Sequence, residues 1–117
     1  MHPYSERLRI ALLKAAEGAD IDIVADGIYG VTEGPRLETA AEINRLDRDG
    51  CTMVGMTAMP EAALARELEL NYATCAFVVN WAAGRSDDII KMKDIEKYMQ
   101  IGTQHLRTLL AAVVSLL

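Results

Sequence analysis

Three residues of this chain combine a recognising or reactive side chain with a suggestive setting: Thr57, Asn80 and Glu38. Thr57 stands in Thr57-Ala58-Met59-Pro60-Glu61, a hydroxyl just ahead of a helix start. Free N–H groups and the positive end of a helix dipole gather an anion at such a place, although a threonine there can equally serve the turn and cap the helix. Asn80 closes the most apolar run of the chain. Its amide offers donor and acceptor together, enough to pair with a ring nitrogen and an exocyclic oxygen of one heterocycle. An asparagine at a turn also needs no ligand to explain it. Glu38 can accept an N–H from a heterocycle or simply favour a first helical turn. Met56, Met59 and Met92 are pocket lining or core filler, and Trp81 stacks on a ligand or covers the core.

The elements that must position these groups alternate between helical and strand-like patterns. Residues 4–17 have helical spacing through Leu8, Leu12, Leu13 and Ala16, with Ser5 as N-cap and Gly18 as stop. Ile21 to Ala25 is β-branched and predicts a strand. Residues 27–39 then place three glycines and a proline within nine positions, ringed by Tyr29, Thr32, Glu33 and Arg36. Glycine permits positive φ and close approach of backbone to a ligand, so this strand-to-helix connection is a binding-loop candidate. Helical spacing returns over 38–49 through Ala41, Ile43 and Leu46, stopping at Gly50. Cys51 to Met56 predicts a second strand. Pro60 suits the first turn of a helix carrying Ala63, Leu64, Leu68 and Leu70 to near Asn71. Ala73 to Val79 reads as a strand buried on both faces, 80–88 as loop, and 92–117 as a long terminal helix. Together these patterns predict an α/β fold, a three-layer sandwich with a mixed sheet flanked by helices. Ligands in such folds sit beyond the carboxyl ends of strands, where Tyr29, Met56-Thr57 and Asn80 fall.

Bulk properties narrow the function classes. The chain has 117 residues, 51% hydrophobic and 25% charged, which is globular composition for one domain or part of one. A net charge of −5 argues against nucleic acid or an anionic membrane as main partner. No run approaches a membrane span, and the first residues lack the basic and apolar regions of a secretory signal, so the cytoplasm is the expected location. Cys51 and Cys75 lack metal-ligand spacing and read as small buried hydrophobes in a reducing compartment. His2 and His105 are isolated, and Asp87-Asp88 reads as a solvated loop or helix-start pair.

Three segments carry a resemblance. Gly34-Pro35-Arg36-Leu37-Glu38-Thr39, followed by Ala41-Glu42, resembles a Gly-Pro-x-x-Glu-Thr segment. Val54 to Glu61 resembles Gly-Met-Ser/Thr-x-x-Pro-Glu, and Val78-Val79-Asn80-Trp81-Ala82-Ala83-Gly84 resembles a base-recognition strand with its following loop. In this order and spacing they are similar to the carboxyl-terminal half of the trimeric purine nucleoside phosphorylases, a family that includes methylthioadenosine and methylthioinosine phosphorylases. The resemblance covers most of residues 1–117 as half of a single domain.

The resemblance implies cleavage of a purine nucleoside by phosphate to free base and ribose 1-phosphate, with phosphate as co-substrate and no other cofactor or metal. It places phosphate at Thr57, the ribose against Met56, and the sugar site beside Tyr29. Leu37 replaces an aromatic residue common in vertebrate members, so ring stacking there is lost. Asn80 falls where an amide at N7 and O6 stabilises charge developing on the purine, which makes it the expected catalytic residue. Adenine-type members carry Asp there, so Asn80 implies a 6-oxopurine, with Glu38 accepting its N1–H. Met92 falls where nucleoside-specific vertebrate members have a His at the 5′-hydroxyl, and an apolar residue there suits a methylthio group. The bacterial methylthioinosine phosphorylases are therefore the nearest expectation.

The family's amino-terminal half, with its glycine-rich phosphate loop and further Arg and His groups, has no match in this sequence. The chain therefore reads as an incomplete half of the fold, expected to be inactive alone, to need a complementing amino-terminal half, and to form trimers when complete. An inactive fragment serving assembly or ligand binding is the alternative. A nucleosidase using water is weaker, because nucleosidases protonate the base with an Asp where this chain has Asn80.

Overall fold

The computed structural model describes residues 2–87 and 89–117, so Asp88 of the acidic pair lies outside the described residues. Along the chain run α1 (Glu6–Gly18), β1 (Tyr29–Val31), α2 (Ala40–Arg48), β2 (Met53–Gly55), α3 (Glu61–Glu67) and α4 (Met92–Val114). β1 and β2 pair in parallel with Tyr29 opposite Met53, Gly30 opposite Val54 and Val31 opposite Gly55. With α2 between them they form a β-α-β unit, the connection that parallel strands require.

Local chemistry sets the helix ends. Ser5 caps α1, its hydroxyl accepting from the Leu8 N–H at 3.4 Å. Thr39 caps α2 through a capping box: its hydroxyl accepts from the Glu42 N–H while the Glu42 carboxylate accepts from the Thr39 N–H at 2.7 Å. Gly50 stops α2 at φ 89°, a left-handed turn in which the Cys51 N–H reaches the Leu46 carbonyl at 2.9 Å.

Packing divides into two parts. Ala11, Ala15 and Ala16 of α1 bury against Leu109 and Val113 of α4, with Leu12, Ile21, Ile23, Cys75 and Ala112 on their flanks. Small alanine faces let the two helices approach closely, so the buried stripe of α1 lies on its alanines and not on Leu8, Leu12 and Leu13. In the β-α-β unit Ile43 is buried, and Leu46 of α2 and the Cys51 thiol lie over Gly30, where a β-carbon would come within 3.2 Å and 3.0 Å of them. The expectation that Cys51 and Cys75 are buried is met halfway, since both are half-buried free thiols.

Three expectations are corrected. Residues 21–25 and 73–79 carry no strand ladder among the described residues; the sheet consists of β1 and β2. Their β-branched and apolar composition remains, but a strand is stable only with a partner to take its backbone hydrogen bonds. α3 ends at Glu67, because the chain turns through Glu69 at φ 55°. It buries Ala62 and Ala65, leaving Leu64, Leu68 and Leu70 exposed.

The radius of gyration is 15.3 Å, against roughly 13 Å for a compact domain near this length. No large side chain is fully buried among the described residues. The core is built mainly from alanine methyl groups.

Candidate functional site

Parallel pairing sends β1 and β2 toward the same rim, so the chain after Val31 and the chain after Gly55 emerge side by side. The Thr32 N–H donates to the Gly55 carbonyl at 2.9 Å and extends the pairing by one step. The Tyr29 ring lies across β2, and its hydroxyl comes within 3.3 Å of the Thr57 hydroxyl. Gly55 makes that crossing possible, because a β-carbon there would fall 2.1 Å from the Tyr29 oxygen. α3 starts at Glu61 with Pro60 at the N-cap position and no side-chain cap, and the Thr57 hydroxyl engages Tyr29.

Met56 packs under the glycine-rich connection. Gly34 takes φ 69°, and a β-carbon on it would meet the Met56 sulfur at 2.6 Å. Both reasons for glycine, left-handed backbone and close approach, hold at this position. The Gly34–Pro35 and Met59–Pro60 peptide bonds are cis.

Glu38 stands before α2, outside its first turn, so it is not the acid that serves the helix dipole. That role belongs to Glu42. Glu38 is half-buried, and one of its oxygens accepts a hydrogen bond from the Thr32 hydroxyl. Arg36 grips Glu42 with both terminal nitrogens, at 2.9 Å and 2.8 Å, the planar fork matching the carboxylate. The guanidinium, followed by the Thr39 N–H, pulls the Glu42 carboxyl down to about 2. Arg36 itself is raised by the same partner. The connection carrying Leu37 and Glu38 is thus pinned at Thr32 on one side and at Glu42 on the other. Leu37 is exposed.

Asn80 is half-buried, and its amide nitrogen donates to the Trp81 carbonyl at 2.8 Å, a local turn contact that leaves its carbonyl oxygen outside that bond. The loop after it is seated on α2. Gly84, at φ 74°, lies against Ala40, where a β-carbon would stand 3.0 Å away, and Arg85 pairs with Asp47 at 2.7 Å. Trp81 is 72% exposed and does not cover the core. Met92, the first residue of α4, is 66% exposed and shares none of these contacts. The structure therefore gathers Tyr29, Met56 and Thr57 into one group, holds Glu38 on the adjoining connection, and ties the Asn80 loop to α2.

Sequence reasoning named Thr32 and Glu42 only as members of their segments, and assigned no role to either or to Gly55. For Glu42 a signal existed, since Thr39 and Glu42 have the spacing of a capping box. Thr32 and Gly55 are set by where loop and strand meet, and no periodicity announces them. Among the described residues, no cluster of three or more His, Cys, Asp or Glu groups suits a metal ion.

Residues 1–115 match the Phosphorylase superfamily, and the chain belongs to that family. A probable S-methyl-5'-thioinosine phosphorylase of Pseudomonas syringae is 54% identical over 97% of the chain and 46% of its own length. A 6-oxopurine nucleoside phosphorylase of Pyrococcus furiosus is 43% identical over 98% of the chain and 43% of its own length. Among solved structures, methylthioadenosine phosphorylase from Schistosoma mansoni in complex with adenine superposes with a TM-score of 0.91 at 27% identity, over 98% of this chain and 46% of that one. The helix-and-sheet architecture is thus part of the phosphorylase fold, and the α/β expectation holds. The chain spans about half the length of the curated relatives it matches.

Proposed function

We propose that this chain is the carboxyl-terminal half of a single purine nucleoside phosphorylase domain, which cleaves a 6-oxopurine nucleoside with inorganic phosphate once an amino-terminal half completes it. The observation that carries this reading is the group at one rim of the parallel pair: the Tyr29 and Thr57 hydroxyls 3.3 Å apart, with Met56 beneath Gly34 and Glu38 held by Thr32. Hydroxyls and a thioether face suit a sugar phosphate, and a fixed carboxylate on the adjoining connection suits the N1–H of a purine. The names of the Pseudomonas and Pyrococcus relatives support both the reaction and the 6-oxopurine.

In this reading Thr57 hydrogen-bonds phosphate, which attacks C1′ of the sugar as the bond to the purine breaks. Tyr29 and Met56 line the ribose, and Leu37 bounds the base. Glu38 accepts the N1–H. Asn80 turns its amide from Trp81 to N7 and O6 and stabilises the negative charge that the departing base acquires. Met92 faces the 5′ substituent, where an apolar side chain favours methylthio over hydroxyl, since a hydroxyl there would be left unpaired. The completed protein is a homotrimer in the cytoplasm, with no cofactor, metal, nucleic acid or membrane as partner. α3 has seven residues, so its dipole contributes little to phosphate binding and the hydroxyls carry the weight.

The test reconstitutes the chain with the amino-terminal half of the Pseudomonas relative and measures phosphate-dependent release of free base. Expected values of kcat/KM fall in the order 5′-methylthioinosine, inosine, methylthioadenosine. A preference for inosine would remove the assignment of Met92, and a preference for methylthioadenosine would remove that of Asn80. The exposed apolar side chains of the chain favour a second reading, an inactive fragment that serves assembly. Turnover in the reconstituted protein decides against it.

A further inference from the structure

One arginine and two carboxylates share the approach to α2. Arg36 lies two positions before Glu38 in the chain, yet its fork closes on Glu42, with the two terminal nitrogens donating at 2.9 Å and 2.8 Å. One of those nitrogens also donates to the Leu37 carbonyl at 3.2 Å, on the residue next to Glu38. The hydrogen bond to Glu42 is the main cause that raises Arg36, and the charge of Glu38 adds to it, so the guanidinium lies within electrostatic reach of both acids. Glu38 accepts from the Thr32 hydroxyl through one oxygen, which leaves the second outside that bond.

A guanidinium has five donors and no acceptor, so it competes with the N1–H of a purine for the same carboxylate oxygen. Left unrestrained it would outcompete that N–H, because it brings a full charge and two parallel bonds. The Arg36 side chain is 67% exposed, so its restraint comes from polar contacts and not from burial. An exposed ion pair adds little to stability. Its effect here lies in where the arginine is kept.

We propose that Glu42 is a positioning residue for base recognition: it holds Arg36 off Glu38 and so keeps a Glu38 oxygen open to the ring N–H of a 6-oxopurine. The inference rests on the reading that Glu38 accepts the purine N1–H. Glu42 itself touches no substrate and acts through Arg36.

The experiment uses the chain reconstituted with the amino-terminal half of the Pseudomonas relative, with 5′-methylthioinosine as substrate. Glu42→Gln removes the charge that holds Arg36 but leaves an amide able to close the capping box at Thr39. The expected result is a KM roughly tenfold higher with kcat little changed. Adding Arg36→Gln should return KM to within about twofold of the unaltered protein, and Arg36→Gln alone should stay within that range. A purely structural ion pair gives another pattern, in which each single variant raises KM and the double variant is no better. That pattern overturns the proposal, as does a Glu42→Gln protein with unchanged KM. Glu38→Gln separates the proposal from the reading beneath it. If Glu38→Gln leaves KM unchanged, the base assignment fails and the proposal with it; if it raises KM while Glu42→Gln does not, the proposal fails alone. A second measurement needs no turnover. In the full chain by itself the Glu38 carboxyl-carbon resonance should move in Glu42→Gln and return in the double variant. A resonance that stays in place, or that fails to return, overturns the proposal.

Discussion

Two carboxylates four positions apart do different work in this chain. Glu42 is committed to structure, gripped by Arg36 and by the Thr39 N–H, whereas Glu38 has one oxygen tied to Thr32. The folded Glu42 carboxyl titrates near 2, below the ordinary carboxylate range. Its contribution to holding the start of α2 is therefore complete above that range and is lost as pH falls toward 2. A carboxyl-carbon NMR titration should give Glu42 an apparent value near 2, with faster exchange of the Thr39 amide on acidification. Because the pair is solvent-exposed, global stability should scarcely respond. Thr32 makes a different prediction. In the reconstituted enzyme Thr32→Val should free the Glu38 carboxylate and raise KM for a 6-oxopurine nucleoside roughly tenfold with kcat little changed. Thr32→Ser, which keeps the hydroxyl, should restore KM. The Thr39 to Glu42 cap carries a sequence signal, the fixed spacing of a capping box, although helical spacing was read from residue 38, one position before the cap. The Thr32 to Glu38 bond carries none, since it depends on how an irregular connection folds back.

At the scale of elements, α1, α2 and α4 were legible because their caps, stops and apolar periodicities are local. Residues 21–25 and 73–79 were misread as strands because propensity describes a segment and a ladder describes a pair. α3 was overextended through Leu68 and Leu70, whose leucines look like a helix face but lie beyond the turn at Glu69. Gly102 gives a test of element packing that opposes propensity. An alanine inside a helix usually gains about 1 kcal/mol over glycine. Here a β-carbon would stand 2.4 Å from the Phe77 ring, so Phe77 must leave the surface of α4. Overpacking of this kind costs about 1–3 kcal/mol. Gly102→Ala should therefore lower the urea midpoint of the chain, and a raised midpoint would show that Phe77 moves aside freely.

At the scale of the molecule, α1 against α4 and β1 against β2 are the element pairs in substantial contact. Leu109 is one of few large side chains in the first pair, 3% exposed. Leu109→Ala should cost about 2–5 kcal/mol in denaturant. Hydrogen exchange should show that loss in α1 and α4 while the capped start of α2 keeps its protection. The same division bears on how relatives diverge. Tyr29, Glu38, Met56 and Thr57 belong to the β-α-β side, whereas Met92 opens the helix of the other side. Under the proposed assignment, mutation at the head of α4 would vary the 5′ group a lineage accepts without disturbing Tyr29, Glu38, Met56 and Thr57, so that substrate range would drift while the reaction is inherited.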